Sequence, residues 1–465
     1  MSELKISRIL HAGYVFERQN RRIAFDPILE NPFSQNCHAF PQVRFDQVEI
    51  SKLKLDAVFI SHHHDDHCSL ESLVQLDRRT PIFLYCQHEA LFDWIRELGF
   101  LSVQELRIDQ AVCIGSFEVV PRRALDAEVD SMFQIRTDGL NILNVVDSWI
   151  DDETLKLLVN QGPWDLILWP FQTMREIEVL SPSRAEPPPP PPPPPPTGHL
   201  PPEWIHQLRA LNPRRLVPSS CQFLQEEWSW YNRAFFPISY LQFQKEIELA
   251  LPHCEVVRLN PGVSISLSAE SMKFAKPLSW VVPVGEQDVD YEFDPHATPT
   301  PTGEIAKKFA PLTPEQTARV RRYCEVGLVD KSESLHPPED HYFRTPRTWR
   351  LQVFDDEGQA ATFFYRVMQN GLKRLPVHEG PLGWTTDIPM AKLLAGIENG
   401  ESLTSMYIRV NDHIFDADVE KEISSVDVLE DPLIRCLFSG SFGAYQWAQL
   451  CRLRRKSSNQ SCVTR

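Results

Sequence analysis

The stretch Ser61-His62-His63-His64-Asp65-Asp66-His67-Cys68 limits what this chain can fold into more than any other. Read as His-x-His-x-Asp-His, it crowds His62, His64, Asp66 and His67 into six positions. The run Leu55-Asp56-Ala57-Val58-Phe59-Ile60 before it is apolar and β-branched, the texture of a buried strand. Ser69 after it can cap a helix opening at Leu70-Glu71-Ser72-Leu73. The imidazoles therefore sit on a strand-to-helix loop at the carboxyl end of a strand, where α/β sheets keep their chemistry. Histidine is only 15 of 465 residues, so this cluster is not compositional background. Neutral imidazoles with a carboxylate form a ligand set that zinc prefers and that iron or manganese accept. Four donors on so short a loop suit two adjacent divalent ions better than one, which would strain the turn to take them all.

The length, 465 residues, suggests two domains, and 42% hydrophobic residues suffice for full cores. A formal net charge of -16 gives no general electrostatic reason to bind nucleic acid or an anionic membrane. The first residues, Met1-Ser2-Glu3-Leu4-Lys5-Ile6, lack the apolar core of a secretory signal, and no apolar run reaches the length of a spanning helix. The 10 cysteines are scattered without a Cys-x-x-Cys pair and read as reduced thiols, so the expected location is cytoplasmic. Cys68 can support the metal loop or simply pack beside it.

Along the chain, Ile6 to Phe16 and Ile23-Ala24-Phe25 read as a hairpin ending at Asp26-Pro27. Pro81 to Tyr85 reads as a strand, and His88 to Leu98 as an amphipathic helix stopped by Gly99. Short strands near Val112-Ile114 and Phe117-Val120 precede a hairpin, Met132 to Thr137 and Leu140 to Val146, about Asp138-Gly139. Trp164 to Phe171 is a further strand, Glu203 to Leu211 a helix and Arg215 to Pro218 a strand. This alternation is that of an α/β fold. Ten consecutive prolines, Pro187 to Pro196, mark an extended surface spacer within a loop spanning 181–202.

The metal motif behind a buried strand resembles the signature of the metallo-β-lactamase superfamily. The resemblance runs from about His11 to Pro261. It implies a four-layer αβ/βα sandwich with a metal site, often binuclear, and hydrolysis of an ester, amide or phosphodiester. In that setting His62 and His64 would hold the first metal, and Asp66 and His67 the second. Asp66 would also hold the attacking water, which makes it the catalytic candidate. Asp147, at the end of its strand, would bridge both ions; the competing reading is a helix cap. His11 and Asp26 match positions on the pocket wall, or serve ordinary turn chemistry.

Two histidines of that pattern are missing. The segment before the Asp138-Gly139 hairpin, Pro121 to Asp130, contains none, and Ser219-Ser220-Cys221-Gln222 stands where the last is expected. Asp126 can substitute as an oxygen donor and Cys221 as a sulfur donor. The strings Ile142 to Asp147 and Asn212-Pro213-Arg214 are similar to the β-lactamase-fold part of the CMP-N-acetylneuraminate hydroxylases. That subfamily also carries a Rieske cluster, which needs Cys-x-His and Cys-x-x-His. Cys86-Gln87-His88 supplies the first and nothing supplies the second, so an oxygenase would need a separate electron donor.

Beyond Pro261 the texture changes. The sequence divides into a metal-binding domain at 1–270, a Pro/Thr/acid-rich linker at 271–310 and a smaller α+β domain at 311–465. Thr313-Pro314-Glu315-Gln316 has the form of a capping box. Strands are expected at Trp349–Phe354, Ala361–Met368 and Met406–Val410, with a helix at Met390–Ile397. The expected function is metal-dependent hydrolysis of a small molecule, with one or two divalent ions, zinc first and iron or manganese as alternatives. The rivals are a non-haem iron hydroxylase on the same fold and a non-catalytic, metal-stabilised binding module.

Overall fold

The chain opens with three antiparallel strands: Leu4–Arg8 pairs with Tyr14–Arg18, which pairs with Arg21–Phe25. Gln19 and Asn20 between the last two both have positive φ (49° and 64°), the backbone twist that a two-residue hairpin demands. The computed structural model describes residues 3–181, 199–338, 340–378, 380–412, 422–423, 426–439 and 443–463. Two units emerge: the described residues of Met1–Met174, Pro195–Pro295 and Gln449–Arg465, and those of Arg175–Pro194 and His296–Ala448.

The first unit is an α/β sandwich. One sheet has eight strands in the order Met272–Ala275, Ser264–Leu267, Leu4–Arg8, Tyr14–Arg18, Arg21–Phe25, Ala57–Ile60, Ile82–Leu84 and Val103–Glu105. The second has seven: Glu255–Val256, Arg215–Pro218, Leu166–Trp169, Leu140–Asn144, Ser131–Thr137, Phe117–Arg123 and Val112–Ile114. Phe16, Phe25 and Phe59 of the first sheet and Phe133, Ile135 and Ile142 of the second share one core, with the Phe25 and Phe133 rings 5.1 Å apart. Burying each such side chain stabilises the fold by roughly 1.5–3 kcal/mol. Val58 and Ile60 point the other way and are also buried, so the central strand is covered on both faces, as its continuous apolar run requires. On the outside of the second sheet, Trp204 of the helix Pro202–Leu211 packs edge-on against Trp169, 6.0 Å between centroids.

The strand ends gather at one place. Asp26 follows Arg21–Phe25, the His-rich loop follows Ala57–Ile60, and Asp147 follows Leu140–Asn144. That last strand stops earlier than its apolar run suggests, because Val146 takes a left-handed conformation (φ 65°).

The second unit has a five-stranded sheet, ordered Gly371–Leu375, Ala360–Met368, Arg347–Phe354, Leu382–Pro389 and Arg409–Val410. Trp349, Tyr365 and Trp384 lie in its core. The Thr313 capping box forms as read: the threonine hydroxyl accepts from Gln316 N–H, and Gln316 reaches back to Thr313.

Several elements differ from the sequence reading. Within 271–310, read as a linker, Met272–Ala275 adds an edge strand and Val281–Pro283 pairs with Val43–Phe45. The same stretch also contains the helix Thr302–Ala306. The edge strand lacks apolar alternation and leaves Phe274 exposed, so it had no periodic signal. The expected strand Met406–Val410 begins as a 3-10 turn, Thr404–Met406. Tyr407 is then left-handed (φ 54°), and only Arg409–Val410 is extended. Residues from Gln449 onward, read with the second domain, group with the first unit. The ten-proline run lies outside the described residues.

Candidate metal centre

Ser61, at the end of Ala57–Ile60, donates its main-chain N–H to Asp26 Oδ1 (2.8 Å) and its hydroxyl to Asp26 Oδ2 (2.7 Å). Asp26 Oδ2 also faces His67 Nδ1 at 3.1 Å. A hydroxyl has one proton, so Ser61 Oγ, which gives it to Asp26, accepts from His62 Nδ1 at 2.9 Å. Asp26 thus orients His67 directly and His62 through Ser61. Both rings present Nδ1 to an oxygen acceptor and turn Nε2 outward, the orientation typical of metal-ligating imidazoles.

What those Nε2 atoms face is a ring of donors. His62 Nε2 lies 2.9 Å from His64 Nδ1 and 3.7 Å from Asp130 Oδ1. His67 Nε2 lies 3.0 Å from Asp147 Oδ2, 3.6 Å from Asp66 Oδ2 and 3.3 Å from His11 Nε2. Among the described residues two groups have donor atoms all within 4.8 Å of one another: His62, His64 and Asp130, and His11, Asp66, His67 and Asp147. Asp130 Oδ1 and Asp147 Oδ1 are buried with no hydrogen-bond partner. Buried, unpaired carboxylate oxygens cost free energy that a neighbouring cation offsets. The residues therefore fit a pair of metal ions.

The electrostatics agree. Burial, then the neighbouring His67 and His64, holds His62 well below the usual imidazole range, which keeps its lone pair available. Burial alone would lower His67 too, but Asp147 and Asp66 outweigh it and hold His67 well above that range. Burial would raise Asp66, yet His67 and His11 keep it well below the usual carboxylate range. Asp130 is pushed up to about 7 by burial and by Asp147. Three carboxylates converge on this spot, and the pull on His67 shows where positive charge is wanted.

Of the residues named from sequence, His62, His64, Asp66, His67 and Asp147 come together. Asp126 does not: it is exposed, and its main-chain carbonyl accepts from Asp130 N–H (2.7 Å) and Val129 N–H (3.1 Å). That turn folds the chain back and brings Asp130 to the cluster in its place. Asp130 closes that turn, and its carboxylate joins His62 and His64. Helix capping falls to Asp151, which accepts from Glu153 and Thr154 N–H and leaves Asp147 free of that role. Cys221 contributes its main-chain N–H, 3.0 Å from His11 Nδ1, and its sulfur belongs to neither group. Burial drives the Cys221 thiol upward, against the thiolate form that metals bind. Cys86 Sγ accepts from His88 N–H at 3.2 Å, a local turn contact.

The sequence profile described as the β-lactamase superfamily domain matches residues 5–170, the span that carries all of these donors. The cytidine monophosphate-N-acetylneuraminic acid hydroxylase of Mus musculus is 28% identical over 153 residues, 31% of this chain and 26% of its own length. The same enzyme of Danio rerio is 26% identical over 156 residues, again 31% of this chain and 26% of the relative. The chain thus matches about a quarter of the length of these curated relatives. Among solved structures, Igni18, a metallo hydrolase from Ignicoccus hospitalis, aligns at 18% identity and TM-score 0.40, covering 57% of this chain and 99% of that one. CmlA, a diiron β-hydroxylase from Streptomyces venezuelae, aligns at 16% identity and TM-score 0.37, covering 57% and 54%. Among the described residues, no helix is long and apolar enough to cross a membrane.

Proposed function

We propose that this chain is a metal-dependent hydrolase with two adjacent cation positions. His62, His64 and Asp130 would serve the outer one, Asp66 and His67 the inner one, and Asp147 would lie between them. The observation that carries this reading is the pair of buried oxygens without a hydrogen bond, Asp130 Oδ1 and Asp147 Oδ1, on carboxylates that belong to a cluster of oriented imidazoles. Bound there, divalent ions lower the pKa of a water to near neutrality and polarise a carbonyl or phosphoryl oxygen. The chain's own residues supply the rest. Asp26 and Ser61 fix the ring orientations of His67 and His62. Asp66 presents an acceptor oxygen that can orient a water for attack. Asp130 and Asp147 set the negative charge that holds the cations. The substrate class is an ester, amide or phosphodiester of a small molecule.

A second reading rests on a specific feature. Two imidazoles and one carboxylate, His62, His64 and Asp130, form the donor set that non-haem iron oxygenases use, with positions left open. The curated relatives are named hydroxylases. On this reading iron is held and a separate electron donor is required.

Elemental analysis of protein purified without added metal, followed by assays with p-nitrophenyl esters and bis(p-nitrophenyl) phosphate, separates the two. Metal-dependent release of nitrophenol supports hydrolysis. Iron content with reductant-dependent oxygen consumption and no turnover of either probe favours the hydroxylase. Protein that retains neither zinc, iron nor manganese, and gains no activity on adding them, defeats both.

A further inference from the structure

We propose that His11 is a hydrogen-bond donor that positions Asp66, and is not a ligand of the metal centre. This rests on the reading above that the cluster holds metal. His11 sits in the turn between Leu4–Arg8 and Tyr14–Arg18, is 1% exposed and has a positive φ of 48°. Its main chain is pinned from below: the buried Arg8 guanidinium donates to the His11 carbonyl and to the Pro218 carbonyl (2.8 Å). At 3.3 Å from His67 Nε2, the ring falls within the second donor group, and ligation is the obvious assignment.

The other ring nitrogen argues against it. His11 Nδ1 lies 3.0 Å from the main-chain nitrogen of Cys221, which carries a proton and can only donate. Nδ1 is therefore the acceptor, and an uncharged imidazole that accepts at Nδ1 carries its proton on Nε2. That proton faces Asp66 Oδ2 at 3.0 Å, with His67 Nε2 farther off at 3.3 Å. Turning the ring over would set carbon atoms against the Cys221 amide and the Asp66 carboxylate, losing both bonds. His62 and His67 have the opposite arrangement, with Nδ1 directed at the oxygens of Ser61 and Asp26 and Nε2 turned into the donor cluster. A metal ion needs a lone pair, and His11 offers none at the atom that faces the site.

The consequence is a lopsided centre. Without His11 the inner position has one imidazole and two carboxylates, Asp66 and Asp147, and the outer has two imidazoles and Asp130. Such an oxygen-rich set shifts preference from zinc toward manganese and ferrous iron.

The test compares metal content in the parent, His11→Gln, His11→Ala and His67→Ala, each saturated with manganese and then freed of unbound metal. Glutamine places an amide N–H close to the former Nε2 and can donate, but is a poor ligand. His11→Gln is expected to keep the parent stoichiometry and affinity. His11→Ala should keep the stoichiometry at saturation, with affinity lowered about 10–100-fold, the effect typical of losing an orienting partner. His67→Ala should lose one equivalent. Loss of an equivalent in His11→Gln, as in His67→Ala, overturns the proposal. A second readout needs no variant: nitrogen-15 spectra of the metal-free parent, with His11 assigned through bonds. A protonated Nε2 and bare Nδ1 at His11 support the proposal, and the reverse overturns it. A parent that binds no manganese, iron or zinc defeats the metal reading instead, and the tautomer measurement still decides the role of His11.

Discussion

Asp26 Oδ2 lies 3.1 Å from His67 Nδ1, and both side chains are sealed from solvent. The same carboxylate takes two protons from Ser61, so one residue at the end of one strand sets two imidazoles of the next loop. Asp26→Ala leaves three buried donors unsatisfied. The expected cost is about 3 kcal/mol or more, at roughly 1–3 kcal/mol per stranded group. Metal affinity should fall about 10–100-fold as His67 loses its fixed tautomer. Urea unfolding of the metal-free protein and a metal titration measure the two effects separately. Unchanged affinity would mean that His67 does not depend on Asp26 for its orientation.

Asp130 and Asp126 are four residues apart and make opposite predictions. Asp130→Ala removes the carboxylate beside His62 and should lower metal content by one equivalent. Asp126→Ala removes an exposed acid whose structural role is carried by its main-chain carbonyl, and should leave metal content unchanged. Asp130→His should restore occupancy and move selectivity toward zinc. Elemental analysis after identical purification reads all three. Equal metal content in Asp130→Ala and the parent would remove Asp130 from the centre.

This pair also shows where sequence stops being legible. His62, His64, Asp66 and His67 are adjacent in the chain, so spacing alone brings them together, and Asp147 could be placed from the end of its strand. Asp130 depends on a turn in which its own N–H bonds to Asp126, and no periodicity encodes that. His11 and Cys221 meet across 210 positions, with both residues in left-handed backbone conformations (φ 48° and 54°) that their types do not advertise. The sandwich strands Ala57–Ile60, Leu166–Trp169 and Arg215–Pro218 were readable because both their faces are buried and their sequences run apolar. The second unit hid two of its strands for the opposite reason. Gly371-Leu372-Lys373-Arg374-Leu375 is half charged surface, and Leu382–Pro389 carries Gly, two Thr, Asp and Pro among its apolar residues.

Glu30 gives a pH-dependent test away from the metal donors. Burial, with Glu71 nearby, raises its carboxyl to about 7, against the opposing pull of the Ser69 hydroxyl and Arg452. Between its ordinary value of 4.5 and about 7 the folded state keeps a proton that the unfolded chain releases. The stability Glu30 contributes is therefore complete below that ordinary value and is lost as pH rises through about 7. At about 1.4 kcal/mol per pKa unit, and discounting for partial exposure, the loss is about 1–3 kcal/mol. Glu30→Gln, which keeps a neutral acceptor for Ser69, should unfold at higher urea than the parent at pH 8 and show little difference at pH 4. A parent and variant with parallel stability profiles across this range would mean that Glu30 titrates normally.

Asp431 concentrates the polar burden of the second unit. Fully buried, it accepts from the Trp384 indole N–H (2.7 Å) and from the Thr386 hydroxyl with one oxygen. With the other it caps the helix Pro432–Phe438 through Leu433 N–H (2.9 Å) and Ile434 N–H (3.0 Å). Trp384 and Thr386 lie on the strand Leu382–Pro389, so this single carboxylate ties the central sheet to the helix packed on it. Asp431→Ala removes the cap, worth about 1 kcal/mol, and leaves the indole and hydroxyl without an acceptor in a space that water does not reach. Each such group costs roughly 1–3 kcal/mol, so a total of about 3–7 kcal/mol is expected. Asp431→Asn keeps one acceptor oxygen and should recover part of that loss. Calorimetry on the full chain, with metal content measured in parallel, separates the contributions. The variant should lower the melting temperature of the second unit while the metal stoichiometry of the first stays at the parent value. A stability change under 1 kcal/mol in Asp431→Ala would show that the strand and helix are held by apolar packing alone.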